Sequence, residues 1–415
     1  MTAIPAAMAE DLPPLSLYVH FPWCVRKCPY CDFNSHALGA ELPETDYIAA
    51  LLRDLDAEVS GAQGRAVQSI FLGGGTPSLF SPAALARLLD GCRERLVLAD
   101  DVEITLEANP GTVERGQFAD YRGAGITRVS LGAQSFSDAH LQVLGRIHAA
   151  ADTRRAAEEL HAAGLSNFNL DVMYALPQQS VEQACADIRA ALQLSPAHVS
   201  HYQLTLEPGT VFGARPPPGL PDQDGAAEML QACQQQLADA GLMQYEVSGY
   251  ARAGARCRHN LNYWRFGDYL GIGAGAHGKC SRASCSGTCS GTCSGTCGGT
   301  CGGTRSPAQP HRLLIERTTK PREPRRFLRG LSGERRVVPA ADLPFEYLMN
   351  ALRLKEGFSG LDYEAYTGLP FAPLTGQLER QQRRGLIESA GTSWRASARG
   401  FDLLNDLLEE FLPAA

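Results

Sequence analysis

Three cysteines near the start of the chain have a spacing that suits an iron–sulfur cluster. Cys24, Cys28 and Cys31 lie in YVHFPWCVRKCPYCDF, directly after a short strand-like run. Three thiolates on one loop can each ligate one iron of a cubane cluster, and because no fourth cysteine follows at similar spacing, one iron is left open. A structural zinc site would need a fourth ligand, which His20 or His36 could supply. Inert buried thiols are the third interpretation, and a disulfide framework is weaker still, because the chain is not a small secreted scaffold.

The elements that must position this loop alternate between strands and helices. The candidate strands are 16–21, 69–73, 103–108, 128–133, 168–173 and 198–206. The amphipathic stretches between them are 45–59, 82–96, 136–145, 151–163 and 181–194. This alternation favours a parallel sheet with right-handed crossovers. We therefore predict an α/β protein built on a partial (β/α) barrel of the TIM type.

Polar and glycine residues cluster where these strands end, which is where (β/α) barrels carry their chemistry. The positions are Gly73, Gly74, Gly75, Thr76, Glu107, Gln134, Asp171 and Thr205. Each could be an ordinary loop residue by itself, but their joint placement favours a binding site at this edge of the sheet.

The chain divides into four predicted segments: a tail (1–14), the barrel (15–250), a middle segment (251–341) and a C-terminal domain (342–415). The middle segment contains a CSGT/CGGT repeat from Cys285 to Thr304, followed by a basic stretch over 305–336. The repeat could hold a soft metal, but slippage of a tandem repeat that leaves a loop is the simpler interpretation. The basic stretch could bind an acidic ligand or be a solvated rim.

The C-terminal segment predicts three helices, a hairpin (386–397) and a final helix (398–412), an order that resembles a winged helix. Its residues 340–415 carry seven Lys/Arg and eleven Asp/Glu, a net charge of −4, which disfavours contacts with phosphates. We therefore expect a structural or partner-facing domain.

The composition excludes several classes of protein. The formal net charge of −7 argues against a nucleic-acid coat protein. No apolar run reaches about 18 residues, so no membrane span is expected. The start of the sequence lacks a basic region and does not predict a signal peptide. We expect a cytoplasmic location.

Several motifs together resemble the radical S-adenosylmethionine (SAM) superfamily. They are the C-x3-C-x2-C loop with Tyr30 before its last cysteine, LYVHFPWC, FLGGGTPS, LEANP, VSLGAQSF, LGRIH and NLDVMYALPQQ. Within that superfamily they resemble the oxygen-independent coproporphyrinogen III oxidase family. The resemblance covers about 15–280 and, more weakly, the C-terminal domain. It implies a 4Fe-4S cluster whose open iron chelates SAM, and an electron donor for that cluster.

The same resemblance implies the SAM-contacting residues. They are Tyr18, Gly74, Gly75, Thr76, Glu107, Gln134, Arg146 and Asp171. Their chemistry is suitable, since glycine lets a backbone approach a ligand closely, carboxylates accept from ribose hydroxyls, and an arginine pairs with a carboxylate. A salt-bridged barrel rim is the alternative.

Two departures resemble the heme-chaperone branch of the family and not the oxidase proper. The oxidase has a fourth cysteine where this chain has Phe33, and a longer N-terminal extension. In addition, CRHNLNYW contains the HNxxYW signature associated in that branch with heme, which implies His259, Asn260, Tyr263 and Trp264 as heme-binding residues. A hydrogen-bonded loop histidine beside core aromatics is the alternative, and His20, His148, His201 and His277 are expected to be structural.

Three hypotheses follow. The first is a heme chaperone that binds heme and delivers it to an acceptor protein, with a cluster and SAM. The second is a radical enzyme that oxidatively decarboxylates the propionates of coproporphyrinogen. The third is a partner-binding protein with a vestigial cluster, which the complete set of SAM motifs disfavours.

Overall fold

The computed structural model describes residues 12–39, 41–111, 117–283 and 313–413. The cysteine repeat at 285–304 and most of the predicted tail therefore lie outside the described residues. The strands are β1 (Leu15–Phe21), β2 (Trp23–Cys24), β3 (His36–Ala37), β4 (Val67–Gly74), β5 (Leu98–Ala108), β6 (Arg128–Gln134), β7 (Phe168–Tyr174), β8 (His198–Gln203), β9 (Met243–Gln244), β10 (Gly249–Ala251), β11 (Asp268–Ile272), β12 (His277–Ala283), β13 (Leu313–Thr319), β14 (Glu334–Val337), β15 (Phe358–Ser359), β16 (Ile387–Ala390) and β17 (Ser393–Ala396).

The helices occur between these strands and in the C-terminal part. They are α1 (Glu44–Glu58), α2 (Pro82–Arg95), α3 (Phe118–Ala124), α4 (Asp138–Val143), α5 (Ala150–Ala162), α6 (Val181–Gln193), α7 (Val211–Ala214), α8 (Gln223–Asp239), α9 (Arg258–Trp264), α10 (Pro324–Leu328), α11 (Leu343–Ala351), α12 (Gly360–Thr367), α13 (Ala372–Arg383), α14 (Ala398–Asp402) and α15 (Leu404–Glu409), with 3-10 turns at Val59–Ala62 and Pro77–Leu79. None of the helices that the structure describes is long and apolar enough to cross a membrane.

The main sheet has twelve strands in the order β14-β13-β12-β11-β1-β4-β5-β6-β7-β8-β10-β9. The strands from β11 through β1 and β4 to β8 run parallel, and the outer strands at both ends are antiparallel. Over the described residues β14 and β9 do not pair with each other, so the sheet is an open, partial barrel. The predicted α/β class and partial barrel are confirmed.

Each parallel strand sends alternate side chains to opposite faces. In β1 the apolar set Leu15, Leu17, Val19 and Phe21 is fully buried in the core between the sheet and its helices. The intervening Tyr18 faces the inside of the barrel, where it lines a cavity. The short strand LSLYVHF therefore builds the core with one face and the site with the other.

The sheet continues further along the chain than we predicted. Strands β11 to β14 come from the middle segment, and β11 pairs in parallel with β1. Helices α3 and α8 were also not predicted, and the predicted final helix is divided at Leu403 into α14 and α15. The proposed domain boundaries stay predictions.

The C-terminal residues form the winged-helix-like unit that we predicted. Helices α11, α12 and α13 are followed by the hairpin β16–β17, which pairs with β15 in a three-stranded sheet. The unit has its own apolar core, centred on Tyr347, Leu348 and Leu378. Phe266, from the turn between α9 and β11, also packs into that core and connects it to the barrel.

A buried ion cluster holds β11 in place. The Asp268 carboxylate is inaccessible and accepts from Arg65 Nη1 and Lys279 Nζ, both at 2.8 Å. It also accepts from the backbone N–H and hydroxyl of Ser281, at 2.7 and 2.9 Å. Burial alone would raise the pKa of Asp268, but Lys279 and Arg65 outweigh it and the pKa is lowered.

We expect Asp268→Ala to destabilise the protein by about 3–5 kcal/mol, because it leaves two buried cations without their counter-charge. The free energy of unfolding from urea titration would measure this. The matched control is Asp101→Ala, which removes an exposed carboxylate paired with Arg258 at 2.8 Å. This control should change stability little. Equal effects of the two substitutions would contradict the role given to Asp268.

Candidate functional site

A cavity of about 720 Å³ occupies the inside of the barrel and the carboxyl ends of its strands. All the site residues predicted from the sequence line it. They are Cys24, Cys28 and Cys31, then Tyr18, Gly74, Gly75, Thr76, Glu107, Gln134, Arg146 and Asp171, and finally His259, Asn260, Tyr263 and Trp264.

The cysteine loop is held at both ends by a two-stranded ladder. Strand β2, which contains Cys24, pairs in parallel with β3, so the loop between them is closed at its base. Inside the loop, Lys27 Nζ donates to the carbonyls of Phe33 and Ser35, both at 3.1 Å.

The three thiols of the loop are free and partly buried. Burial raises the pKa of the Cys24 and Cys31 thiols, so ligation to a metal would be needed to hold them as thiolates at neutral pH. No group of three His, Cys, Asp or Glu side chains within the described ranges could hold a single metal ion. A cubane cluster asks for something different, because each thiolate ligates a separate iron.

A glycine turn lies against the start of the cysteine loop. The N–H of Gly75 donates to the Phe21 carbonyl at 2.7 Å, and that of Thr76 donates to the Trp23 carbonyl at 2.8 Å. A Cβ on Gly75 would come within 2.5 Å of the Trp23 oxygen. Only glycine permits this approach of two backbones.

Arg146 connects the cysteine loop to the barrel. Its Nη1 lies 3.7 Å from Cys28 Sγ, and its Nη2 donates to Asn109 and to the Gly132 carbonyl at 2.9 Å. Its Nε is buried and has no hydrogen-bond partner in the described part of the chain. A buried donor without an acceptor is costly, so this guanidinium fits the carboxylate of a bound ligand such as SAM.

Two carboxyl groups line the inner part of the cavity. Burial raises the pKa of Glu107 to about 7; the N–H of Gly74, which donates at 2.9 Å, opposes the rise, and nearby Asp171 adds to it. Burial also raises the pKa of Asp171. Beside them Gln134 has a left-handed backbone (φ 66°) and accepts from the Tyr202 hydroxyl at 2.7 Å. These acceptors suit the hydroxyl and amino groups of a nucleoside.

The HNxxYW motif forms helix α9, which packs on β4. His259 is buried with both ring nitrogens in hydrogen bonds, Nδ1 to Ser69 Oγ at 3.1 Å and Nε2 to the Tyr263 hydroxyl at 2.9 Å. Its ring stacks on Phe71 at 5.0 Å, and burial lowers its pKa to about 3. The imidazole is therefore neutral and bonded to protein groups on both sides. Trp264 packs under the Arg353 guanidinium at 4.2 Å.

Several polar residues of the same cavity were not predicted from the sequence. The structure adds Thr105, Asn109, Arg128, Ser130, Asn169, His198, Ser200 and Tyr202 to the lining. Most lie two residues from a predicted site residue or from one another on β5 to β8, so the period-2 alternation of each strand could have found them. His198 is buried between Asn169 Oδ1 at 2.7 Å and the Tyr245 hydroxyl at 2.9 Å.

This chain is similar to known proteins both in sequence and in fold. Residues 18–191 match the model of the Radical SAM superfamily, and residues 338–403 match the HemN C-terminal domain. The fold is that of coproporphyrinogen III oxidase (HemN) from Escherichia coli, described as a radical SAM enzyme, with a TM-score of 0.75 and 20% identity over 98% of this chain and 92% of that one. Residues 18–191 therefore form a radical SAM domain, and proteins with this domain use a 4Fe-4S cluster and SAM.

Full-length relatives define the family more closely. The heme chaperone HemW of Escherichia coli is 50% identical over 402 residues, which span 97% of this chain and 99% of the relative. The heme chaperone HemW of Haemophilus influenzae is 46% identical over 97% and 98% of the two chains. The chain belongs to the HemW family.

We expect Glu107→Gln to stabilise the cofactor-free protein, and to do so more as the pH rises. A carboxyl whose folded pKa is about 7 contributes stability below its unfolded pKa of about 4.3, and this contribution is lost as the pH rises through the folded value. Glutamine can still accept from Gly74. Melting temperatures from pH 5 to pH 8 should diverge in favour of the variant, and parallel curves would refute the buried, protonated carboxyl.

Proposed function

We propose that this protein is a heme chaperone that binds heme and passes it to an acceptor protein. The observation that carries the proposal is the match along almost the whole of both chains to relatives named heme chaperones. Phe33 supports it, because this exposed ring stands where the resemblance gives the oxidase a fourth cysteine. The acceptor protein and an electron donor belong to the same proposal.

The cofactor set of the proposal uses residues around the cavity. Cys24, Cys28 and Cys31 would each ligate one iron of a 4Fe-4S cluster, which would leave one iron for SAM. When bound, the pair supplies reductive cleavage of a sulfonium. The chain's own contribution would be to orient the ligand. The Gly74–Thr76 turn would give it a backbone wall, Arg146 Nε, which has no partner among the described residues, would pair with its carboxylate, and Glu107 and Asp171 would accept from its hydroxyls.

The heme motif belongs to this proposal as well. We call the cavity of about 720 Å³ inside the barrel the SAM cavity. Tyr263 lines this cavity and also a neighbouring cleft. Its hydroxyl is bonded to the buried His259, so the histidine fixes the tyrosine. Asn260 and Trp264 lie on the same helix and line the cavity.

A cytoplasmic location is also proposed. The cluster loop has three free, partly exposed thiols, and the reducing cytoplasm keeps such thiols available for iron.

Oxidative decarboxylation of a porphyrinogen is the alternative function. It is favoured by the shared fold with coproporphyrinogen III oxidase and by a cavity that extends below the SAM residues to His198 and Ser200. Formation of protoporphyrinogen from coproporphyrinogen under strict anaerobiosis would establish this enzyme activity.

We expect the variant Cys28→Ser to lose the cluster. Anaerobic reconstitution should give about four irons per chain in the wild type and far fewer in the variant, because one thiolate ligand is missing. SAM should perturb the EPR signal of the reduced wild-type cluster. The matched control is Cys185→Ala, which removes a buried free thiol of α6. Full iron loading of Cys28→Ser would contradict the assignment.

We expect optical titration of the reconstituted wild-type protein with ferric heme to saturate near one heme per chain. His259→Ala should bind more weakly because Tyr263 loses its hydrogen-bond partner, a loss on the order of tenfold. Circular dichroism would verify that the variant is folded. If the wild type shows no specific Soret change, the chaperone proposal fails and the porphyrinogen enzyme becomes the better function.

A further inference from the structure

A second cleft opens beside the SAM cavity. Its volume is about 800 Å³, within the range of small-molecule sites. The two share a wall made of Tyr18, Phe33, Gly74, Glu107 and Tyr263. The opposite wall is built by the start of β12, the end of β13 and the loops around α10.

The opposite wall carries two unpaired cations. Arg322 and Arg326 are exposed, and neither forms an ion pair within the residues that the structure describes. Lys320 differs, because it is held by Asp54 at 2.6 Å and Glu58 at 2.8 Å. The acidic lining residues are Glu107, which accepts from Gly74, and the exposed Glu334. Free guanidinium groups of this kind recognise carboxylates.

The same wall carries an available imidazole. His277 is exposed, and neither of its ring nitrogens has a hydrogen-bond partner among the described residues. Partial burial of this side chain and the charges of Arg317 and Arg322 lower its pKa, which favours the neutral form that ligates metals. His20, which lines the cleft, and His259, which lines the SAM cavity, differ from His277 because both of their ring nitrogens are in hydrogen bonds.

Aromatic side chains line the cleft on the side of the shared wall. Phe33 is 58% exposed although it is a large apolar ring. Tyr263 lies edge-on to Tyr269 at 4.5 Å, and both line the cleft. Aromatic rings of this kind pack well against an extended apolar plane.

Hydrogen bonds within the protein connect the two walls of the cleft. Asn34, in the cysteine loop, donates through Nδ2 to the carbonyls of Ala274 and Arg322, both at 2.9 Å. A Cβ on Gly275 would come within 2.2 Å of the same amide, so the loop and the opposite wall are in close contact. The backbone N–H of Lys320 donates to the Ala276 carbonyl at 2.9 Å. The cleft is therefore preformed.

We propose that this cleft holds the heme, with His277 as an axial ligand of the iron, Arg322 and Arg326 on the propionates, and the shared aromatic wall against one porphyrin face. The inference rests on the proposed function, since it names the site at which that function acts. A planar ligand with a metal centre and two carboxylates matches the imidazole, the cations and the rings of one cleft. His259 is then a positioning residue behind Tyr263.

The test uses three probes on the reconstituted full-length protein: ferric protoporphyrin IX, metal-free protoporphyrin IX and the dimethyl ester of ferric protoporphyrin IX. His277→Ala should shift the Soret band of the ferric complex and lower the affinity for ferric protoporphyrin IX at least about tenfold. The affinity for metal-free protoporphyrin IX should not change. Arg322→Gln and Arg326→Gln should each lower the affinity for both free-acid porphyrins by about tenfold. Neither arginine substitution should affect the ester.

Matched controls separate the site from general damage. His161→Ala removes an exposed histidine of α5, and Arg325→Gln removes the neighbouring exposed arginine of α10 that does not line the cleft. Both should bind like the wild type. Iron content and circular dichroism would report folding, and His277→Gln repeats the ligand test with a side chain of similar size.

The outcomes distinguish this inference from the proposed function. If the wild type binds no heme, both the proposed function and this inference fail. If the wild type binds heme but His277→Ala keeps its spectrum and affinity while His259→Ala loses them, heme binding stands and the inference is overturned. If His277→Ala also loses its affinity for metal-free protoporphyrin IX, the role of His277 as a ligand of the iron is overturned.

Discussion

The close approach of two backbone segments is the constraint on which the site depends. Strands β1 and β4 are parallel neighbours with Phe21 opposite Gly74, so the loops that follow them leave the sheet at one edge. There the Gly75 and Thr76 N–H groups donate to the carbonyls of Phe21 and Trp23. These hydrogen bonds fix the glycine turn against the start of the cysteine loop, and so they set the position of the thiols relative to the residues that would hold SAM.

The parts of the fold that could be predicted are those with a local pattern. The parallel strands β1 and β4 to β8 alternate or are apolar, and helices separate them, so their order follows from the sequence. Strands β11 to β14 carry little such signal. β14 is exposed throughout, and the partner of β11 is β1, more than two hundred residues earlier in the chain. Their pairing depends on contacts between distant parts of the chain, so it cannot be predicted from a short stretch of sequence.

The site shows the same division. The cysteine spacing and the motif residues could be predicted because they stand out as residue types, and all of them line one cavity. Ser130, Asn169 and His198 were missed, because a polar residue inside a strand looks ordinary until the alternation of the strand is counted from a residue known to face inward. Histidines are the hardest case: sequence cannot distinguish His259, bonded on both ring nitrogens, from His277, whose exposed ring has no such partner in the described residues.

The two cavities share a wall, and this has a thermodynamic consequence. Tyr18, Phe33, Glu107 and Tyr263 face both the SAM cavity and the cleft, so a ligand on one side covers groups that a ligand on the other side also meets. If either ligand moves this wall, it changes the affinity for the other, and the change is equal in both directions. Under the proposed function, SAM bound on its side would then act on heme retention without being cleaved. A radical SAM fold would in this way suit the heme chaperone that we propose.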